Sequence, residues 1–238
     1  MTTQKLYLED TYQFNFEGLI QKAGKDEKGF FIILDQTAFY PQGGGQPSDH
    51  GLISNDSVNA PIIHVAQHGD QIRHYIDSPS ITAEILKAQK VCGVVKRTRR
   101  LLNARYHTAA HLLGNIAEML NPKLKAIKGH SFPGEAYVEF QGDEVIDVEV
   151  LQNAISEAIA KNEKTKVFVI DPLGFEKQFY KLPYRIPDNK TFRVIQIGDM
   201  SPVPCGGTHV SSTGEIGLIK INKVKNKNGI LRISYGVT

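Results

Sequence analysis

Features that would restrict the class of protein are scarce in this 238-residue chain. Its two cysteines, Cys92 and Cys205, can form at most one disulfide, which is no framework for a small extracellular domain. Cys92 lies in an apolar stretch and is predicted to be a core residue. No apolar run approaches the ~18 residues that a membrane-spanning helix needs, and the N-terminal segment has no apolar signal-peptide core. We therefore expect a cytoplasmic protein without a membrane partner.

The net charge is also small, at +3, and does not by itself identify a nucleic-acid-binding protein. The basic residues nevertheless form two clusters along the chain. The first comprises Lys96, Arg97, Arg99 and Arg100. The second lies near the C-terminal end and comprises Lys220, Lys223, Lys225, Lys227 and Arg232. Such clusters can bind phosphate groups, and they are about as typical of a solvated surface.

The first ninety residues are predicted to form a β-rich domain, residues 1–90. Turn residues such as Gly24-Lys25-Asp26 separate short alternating or β-branched segments, which are Lys5–Leu8, Gly29–Leu34, Ile62–Ala66 and Gln71–Ile76. This regular spacing is typical of a small barrel or sandwich, and we predict a barrel. A short helical pattern over Ile81–Lys90 leads out of the domain.

The remaining residues, 91–238, are predicted to form an α+β domain. Apolar residues follow the helical period from Thr98 to Leu120, and Asn121-Pro122 ends that helix. A second amphipathic helix follows the acidic segment Asp143–Asp147. An Asn-Gly hairpin at Asn228-Gly229 joins the last two predicted strands. The strands are predicted at Tyr137–Phe140, Val167–Ile170, Phe192–Ile197, Ile216–Ile221 and Ile230–Tyr235.

Two pairs of potential metal ligands are the most specific feature of the chain. His107 and His111 lie four residues apart in a predicted helix, which brings their Cβ atoms to ~5–6 Å, so both imidazoles can bind one metal ion. Between Cys205 and His209 lie two glycines, which favour a folded loop over a helix. Together the pairs offer three imidazoles and a thiolate, a set that suits Zn2+ best. The pattern does not favour a metalloprotease, because Thr108 occupies the position of its general-base glutamate.

A run of three glycines is the second unusual feature. Such a run costs conformational entropy, which indicates a structural or functional need. It is neither a P-loop nor a dinucleotide-binding motif, because the Lys-Ser/Thr pair and a following long helix are both missing. Pro41 and Pro47 stiffen the segment. We predict that its backbone N–H groups approach a ligand, a flexible turn being the alternative, and the residues concerned are Gly43, Gly44, Gly45 and Gln46.

These motifs together resemble one family. The helical histidine pair, the downstream Cys205–His209 motif and the Gly43–Gln46 loop are similar to those of the alanyl-tRNA editing proteins, which are free-standing relatives of the editing domain of alanyl-tRNA synthetase. The metal motifs are shared with the threonyl-tRNA synthetase editing domain, whereas the glycine loop is typical of the alanyl branch. The resemblance covers nearly the whole chain. It implies a small N-terminal β-barrel, as in the medium-sized members, followed by the α+β editing domain common to both synthetases.

The resemblance also implies a function and a set of site residues. The expected activity is trans-editing, the deacylation of Ser-tRNA(Ala), and often of Gly-tRNA(Ala), at a zinc-containing site. The zinc ligands would be His107, His111, Cys205 and His209. Catalytic roles are expected for His209 and Thr208. The substrate-binding residues would be Gly43, Gly44, Gly45, Gln46, Gly206, Gly207 and Asp199, with Ser201 as a further candidate. The residues predicted to contact the tRNA are Arg97, Arg99 and Arg100.

Two positions depart from the pattern of the family. Ala110 precedes the second histidine, where alanyl-synthetase editing sites often have a threonine whose hydroxyl helps to distinguish serine. Ile127 stands where a glutamine commonly precedes a Lys-Gly pair. The resemblance therefore does not identify the group that recognises the serine hydroxyl.

The role of His209 and the class of function each have alternatives. With three protein ligands the metal site keeps an open position, and His209 is a loose ligand or a base for water. With four ligands the tetrahedral site is closed, and backbone N–H groups and the terminal tRNA hydroxyls position the water. A non-catalytic, zinc-structured RNA-binding module is the alternative to editing, and it leaves the Gly43–Gln46 loop without a role. An unrelated zinc hydrolase acting on small molecules leaves the basic clusters without one.

Overall fold

A computed structural model describes residues 2–55, 59–77, 90–142, 145–180 and 190–238. The chain divides into two compact units, Met1–Ala104 and Arg105–Thr238. The boundary between these units follows Ala104, whereas the sequence predicts a boundary near residue 90. The helical pattern predicted over Ile81–Lys90 lies outside the described residues, apart from Lys90, which begins a strand.

A closed barrel of six antiparallel strands forms the body of the first unit. Its strands are β2 (Asn15–Asp26), β3 (Gly29–Leu34), β5 (Gly51–Ser54), β6 (Asn59–His68), β7 (Gln71–Ile76) and β8 (Lys90–Val95). They are neighbours in the order β2, β3, β7, β6, β5, β8. Two short strands, β1 (Gln4–Lys5) and β4 (Gln36–Thr37), form a parallel pair. The predicted barrel is confirmed.

Strand β8 closes the barrel and explains the later boundary. Its burial alternates, with Val91, Gly93 and Val95 inside and the residues between them exposed. It pairs with both β2 and β5, so a domain that ended at residue 90 would leave the barrel open. Cys92 lies on the outer face and is exposed, so the prediction that it is a core residue is wrong.

The long helix α1 (Arg97–Leu120) begins in the first unit with a buried ion pair. Arg100 Nε donates to Asp49 Oδ2 at 2.9 Å, and both side chains have no exposed surface. The same guanidinium donates to the carbonyl oxygens of Thr11 and Ala38. The prediction that Arg100 contacts tRNA is therefore wrong for this conformation, because a phosphate has no access to a buried and fully engaged guanidinium.

The second unit contains two antiparallel sheets and the rest of α1. One sheet has the strand order β14, β15, β10, β9, where the strands are β9 (Lys125–His130), β10 (Tyr137–Gln141), β14 (Ile219–Lys227) and β15 (Ile230–Val237). The other comprises β11 (Thr165–Ile170), β12 (Phe192–Ile197) and β13 (Val203–Pro204). Helices α2 (Val148–Ala160) and α3 (Pro172–Gln178) complete the unit.

Local sequence signals explain the ends of several of these elements. The Asp147 carboxylate accepts hydrogen bonds from the backbone N–H groups of Glu149 and Val150 and so begins α2, as the acidic segment indicated. Asn228 and Gly229 both have positive φ, at 54° and 73°, which a two-residue turn between β14 and β15 requires. The buried face of the four-stranded sheet packs against α1, where Tyr235 Oη donates to the Tyr106 carbonyl at 2.8 Å.

None of the described helices is both long and apolar enough to span a bilayer.

Candidate metal centre

The first pair of ligands comes from the middle of α1. His107 and His111 lie one helical turn apart, and their rings are stacked with centroids 5.1 Å apart and an angle of 10° between their planes. His107 is buried and His111 is partly buried. The helix therefore presents both imidazoles side by side, as the i, i+4 spacing predicted.

The second pair comes from the loop after β13, and Arg193 in β12 holds that loop. The backbone N–H of Cys205 donates to the carbonyl of Arg193 at 3.0 Å. In return, Arg193 Nη1 donates to the carbonyl oxygens of Cys205 at 2.8 Å and Gly207 at 2.9 Å. Arg193 lies twelve positions before the cysteine and belongs to no ligand spacing, so no sequence motif identifies it.

The two pairs converge on one point. Sγ of Cys205 lies 3.3 Å from Nε2 of His107 and 3.3 Å from Nε2 of His209. One ligand atom from each of His107, His111, Cys205 and His209 lies within 4.8 Å of the others. Ligands of a tetrahedral zinc ion, at ~2.0–2.1 Å for nitrogen and ~2.3 Å for sulfur, stand about 3.3–3.6 Å apart. The cluster therefore has the donor set and the size to hold a metal ion.

Gly207 has no side chain, and the His107 ring occupies the space where one would lie. A Cβ atom at Gly207 would lie 2.6 Å from His107 Nδ1, and closer still to Cε1, whereas one at Gly206 would meet nothing within 4 Å. The backbone N–H of Gly207 also donates to Cys205 Sγ at 3.3 Å. The second glycine of the motif thus has a steric role in the cluster, and the first, which is exposed, does not.

Thr108 orients His209 from the other side. Its hydroxyl accepts the backbone N–H of Val210 at 3.1 Å and lies 3.4 Å from Nδ1 of His209. With Nε2 directed at Cys205, this arrangement fits the tautomer in which Nδ1 carries the proton and donates it to the hydroxyl, as metal-bound histidines commonly do. No sequence motif indicates this role of Thr108, because it depends on a residue 101 positions away.

Burial controls the protonation of the cluster. Burial holds the pKa of His107 and of His209 well below the usual value, and positive charge on Arg193 and on the other histidines of the cluster acts in the same direction. Burial also lowers the pKa of His111 to about 4. All three imidazoles are therefore neutral near pH 7, which is the form that binds metals. Burial raises the pKa of the Cys205 thiol, while the Gly207 N–H and the Arg193 charge act in the opposite direction.

The other predicted site residues of this unit lie in different surroundings. Thr208 is completely buried, which argues against the direct substrate contact that a catalytic role requires. Asp199 and Ser201 are exposed in and beside the turn after β12, and Asp199 is not part of the ligand cluster found among the described residues. Of these candidates, only the exposed Gly206 adjoins a ligand and is open to solvent.

The Gly43–Gln46 loop, in the first unit, is a tight turn. The backbones of Gly43 and Gln46 exchange two hydrogen bonds, at 3.1 Å and 2.9 Å, and Gly44 and Gly45 have φ values of 54° and 77°. Positive φ at both central positions explains the glycines. Tyr40 Oη donates to the Gly43 carbonyl at 2.9 Å, and Gln46 is buried. These hydrogen bonds hold the loop in one conformation, which favours an ordered turn over a flexible one.

The other two arginines of the first cluster differ from Arg100. Arg99 is partly buried and its Nε donates to the Ser48 carbonyl at 2.8 Å. Arg97 is exposed, with its guanidinium 5.2 Å from the centre of the Phe14 ring. Of the three predicted tRNA contacts, Arg97 thus remains open to a phosphate, and Arg99 is open in part.

Comparison with known proteins agrees with this arrangement. The model of the "Threonyl and Alanyl tRNA synthetase second additional domain" matches residues 192–233, and that of "tRNA synthetases class II (A)" matches residues 9–99. The chain is 29% identical to the alanyl-tRNA editing protein AlaX-M of Methanosarcina barkeri over 98% of both chains. It is 30% identical to the alanine–tRNA ligase of Metallosphaera sedula and 29% identical to that of Saccharolobus islandicus, over 98% of this chain.

The fold, the ligand cluster and these matches make the chain similar to one class of proteins, those that carry the second additional domain of threonyl- and alanyl-tRNA synthetases. The chain spans about a quarter of the length of the ligases it matches, 26% in each case. Its similarity to AlaX-M, in contrast, covers 98% of each of the two chains. Within the class, the chain fits an AlaX-like editing protein.

Proposed function

We propose that the protein is an aminoacyl-tRNA hydrolase that removes the wrong amino acid from tRNA(Ala), chiefly serine and also glycine, acting in trans and in the cytoplasm. The observation that carries the proposal is the convergence of His107, His111, Cys205 and His209 in a chain that is similar to AlaX-M throughout. The products of the reaction are the free amino acid and deacylated tRNA(Ala), formed when water attacks the ester carbonyl.

We further propose that the cluster holds Zn2+. Three imidazole nitrogens and one thiolate form a borderline-soft donor set, and their spacing fits tetrahedral coordination. When bound, zinc would lock the cysteine loop onto α1 and supply positive charge to the site. The outer contacts from Arg193 and Thr108 are of the kind that orient metal ligands.

The contacts of His209 favour a ligand over a catalytic base. Its Nε2 is directed at Cys205 Sγ, and its Nδ1 faces the Thr108 hydroxyl. Neither ring nitrogen is then available to accept a proton from water. We therefore infer four protein ligands and a closed coordination shell, with the attacking water positioned by backbone groups of the exposed loop at Gly206 and by the terminal hydroxyls of the tRNA.

We retain the Gly43–Gln46 loop as a substrate-binding element. Its two-residue turn is held by backbone hydrogen bonds and by Tyr40, so it can offer polar backbone groups without an ordering cost when a ligand binds. A role in the reaction would explain why so specific a turn is built from three glycines.

Deacylation assays test the proposed function. The purified protein is incubated with Ser-, Gly- and Ala-tRNA(Ala), with and without a zinc chelator, and the esters that remain are measured. We expect rapid loss of Ser-tRNA(Ala), slower loss of Gly-tRNA(Ala), little loss of Ala-tRNA(Ala), and inhibition by the chelator. Failure to deacylate any of the three would reject the proposal, and tRNA binding without hydrolysis would support the non-catalytic RNA-binding module. Equal hydrolysis of all three would indicate an esterase without editing selectivity.

The two cysteines provide a matched pair of variants for the metal. Cys205→Ala removes a ligand, whereas Cys92→Ala removes an exposed thiol on the barrel. We expect Cys205→Ala to lose zinc and activity together, and Cys92→Ala to keep both. Full activity of Cys205→Ala after its zinc is lost would exclude a metal-dependent reaction.

A further inference from the structure

The four-stranded sheet of the second unit has one strongly basic face. Val138, Phe140, Leu231 and Ile233 point inward and are buried, so the alternate residues of β10 and β15 point outward. Side chains that are paired directly across strands share a face. The outward basic residues define what we call the cationic face, and they are Lys125, Lys128, Lys220, Lys223, Lys225, Lys227 and Arg232.

The pairing register places these cations in rows across the sheet. One row runs from Lys225 in β14 through Arg232 in β15 and Glu139 in β10 to Lys128 in β9. Glu139 is the only acidic residue in the four strands, and it is bonded to Arg232 through Nε at 2.9 Å. Because the net charge of the whole chain is only +3, positive charge is concentrated in this sheet.

Aromatic rings lie among the cations. The Tyr137 ring lies under the Arg232 guanidinium, 4.1 Å from its Cζ, and 5.7 Å from Lys128 Nζ. Beside it, His130 stacks on Phe132 with ring centroids 4.4 Å apart and nearly parallel planes. Neither the Tyr137 nor the Phe132 ring is fully buried. Cations that surround partly exposed rings on a sheet are the arrangement found in proteins that bind unpaired nucleotides.

We propose that the cationic face binds RNA, holding phosphates with its lysines and stacking a base at the Tyr137–His130–Phe132 group. This inference rests on the proposed function, for which the RNA is the body of the substrate tRNA. Lysines on an edge strand also prevent association between sheets, which is a simpler explanation for Lys223, Lys225 and Lys227 in β14. That explanation does not account for Arg232 in the interior strand β15 or for the aromatic group of Tyr137, His130 and Phe132.

The edge strand β9 connects this face with the ligand-bearing helix. Ala126 N–H donates to Glu118 Oε1 at 2.6 Å, and a Cβ atom at Gly114 would lie 3.8 Å from the Ala126 Cβ. Residues 107, 111, 114 and 118 recur at the i, i+4, i+7, i+11 spacing of a single helical stripe. Strand β9 therefore runs beside the stripe of α1 that carries His107 and His111, so RNA that leaves the cationic face across β9 reaches the ligand-bearing side of the helix.

Charge reversal tests the proposal. The triple variant Lys223→Glu/Lys225→Glu/Lys227→Glu is compared with a control of equal charge change, Lys161→Glu/Lys164→Glu/Lys166→Glu, whose lysines are exposed elsewhere in the same unit. Binding of deacylated tRNA(Ala) is measured over a range of salt concentrations. We expect the first variant to bind at least about tenfold more weakly and to lose roughly 0.7–0.9 of salt slope per phosphate contact removed, so about 2–3 in total. The control should bind as the unchanged protein does.

A second substrate separates this inference from the proposed function. Hydrolysis of 3′-O-seryl-adenosine, which lacks the RNA body, should be the same in the face variant and the unchanged protein. If neither that ester nor Ser-tRNA(Ala) is hydrolysed while tRNA binding still depends on the cationic face, the proposed editing function is rejected. The proposal that the cationic face binds RNA is then still supported. Equal losses of tRNA binding in the two triple variants, or no loss in either, would overturn the surface. So would binding to anionic phospholipid vesicles without binding to tRNA, or association of the face variant into larger species with its tRNA binding unchanged.

Discussion

Single residues outside the ligand set determine whether the four ligands can meet. Arg193 fixes the carbonyl oxygens of the cysteine loop, Thr108 turns His209, and the absence of a side chain at Gly207 admits the His107 ring. The Thr108–His209 contact joins residues 101 positions apart, and the Arg193 contacts span 12 and 14 positions. A ligand motif is therefore visible in the sequence, whereas the residues that hold it in place are visible only after folding.

The two glycines of the cysteine loop offer a sharp test at this scale. In Gly207→Ala the new methyl group overlaps the His107 ring, so we expect that ring to be displaced and zinc affinity to fall by about tenfold or more, as for lost ligand positioning elsewhere. In Gly206→Ala the methyl group meets nothing, and zinc affinity should be unchanged. Competition with a chromophoric chelator measures both. Equal zinc affinities in the two variants would contradict the steric role of Gly207.

Arg193 gives a second prediction about zinc affinity. Arg193→Met removes two hydrogen bonds to the loop carbonyls, and we expect about 10–100-fold weaker zinc binding, the usual cost of losing an outer contact of a metal site. Arg193→Lys keeps the charge but not the forked geometry, so it should recover only part of the affinity. Chelator competition is the measurement, with thermal unfolding of the metal-free protein as the control for folding. Full zinc affinity in Arg193→Met would show that β12 alone holds the loop.

At the scale of elements, the start of α1 depends on one buried ion pair. Arg100 donates to Asp49 Oδ2 and to two backbone carbonyls, and Asp49 Oδ2 also accepts the backbone N–H of Tyr40 at 2.7 Å. Tyr40 in turn bonds the Gly43 carbonyl, so the helix, the segment around Asp49 and the glycine loop form one network. This network explains why a basic residue from a basic cluster lies in the interior.

Removing the arginine should destabilise the first unit strongly. Arg100→Met leaves the buried Asp49 charge without a cationic partner, which typically costs about 3–5 kcal/mol of unfolding free energy. Addition of Asp49→Asn removes that charge while keeping an acceptor for Tyr40 N–H, so the double variant should recover part of the loss. Arg97→Met, at an exposed position, is the control and should change stability by less than about 0.5 kcal/mol. Denaturant unfolding measures all three, and a cost under about 1 kcal/mol for Arg100→Met would contradict the role of the pair.

The elements also show where sequence patterns succeed. Gly29–Leu34, Gln71–Ile76 and Phe192–Ile197 were predicted with the bounds that the structure has, because β-branched or aromatic runs between turns are read locally. The predicted turn at Gly24-Lys25-Asp26 is wrong: these residues continue β2, and the turn lies at Glu27-Lys28. These three residues pair with the first residues of β3, Gly29, Phe30 and Phe31, so cross-strand pairing overrides their weak local preference for a strand.

Two further errors in the predicted strands have the same cause, which is pairing or burial that local sequence patterns do not show. Lys5–Leu8 was predicted as a strand, but only Lys5 belongs to β1, and Leu6–Leu8 form a 3-10 turn whose Leu6 and Tyr7 are buried. Strands β5 and β8 were not predicted, although their pairing closes the barrel. Burial of short apolar segments in a closed barrel depends on which strands become neighbours, and local periodicity contains little of that information.

At the scale of the whole molecule, a buried histidine should make stability depend on pH. His74 is completely buried in the barrel, where Nε2 lies 2.8 Å from the Thr37 hydroxyl and Nδ1 lies 3.2 Å from the Ile32 carbonyl. Burial lowers the pKa of His74 from 6.5 to about 4. Above pH 6.5 the side chain is neutral in the folded and unfolded chains alike, so its protonation has no effect on stability there.

Between about pH 6.5 and pH 4 only the unfolded chain binds this proton, so stability is lost as the pH falls through that window. The loss attributable to His74 should reach about 2 kcal/mol at pH 5. Unfolding by urea at pH 7.5 and pH 5 is compared for the unchanged protein, for His74→Gln and for the control His68→Gln at an exposed position. We expect His74→Gln alone to reduce the difference between the two pH values. The same pH dependence in all three proteins would contradict this assignment.

The sequence by itself determined the classes of structure and of site. Alternating strands, a long amphipathic helix and two ligand pairs predicted a barrel, an α+β unit and a metal cluster, because each signal lies within a few consecutive residues. Only the tertiary structure decided that Arg100 is buried rather than free to bind RNA, that Arg193 and Thr108 support the ligands, and that scattered lysines share one face. These facts depend on pairings between distant segments, and hydrophobic burial of the whole chain selects those pairings.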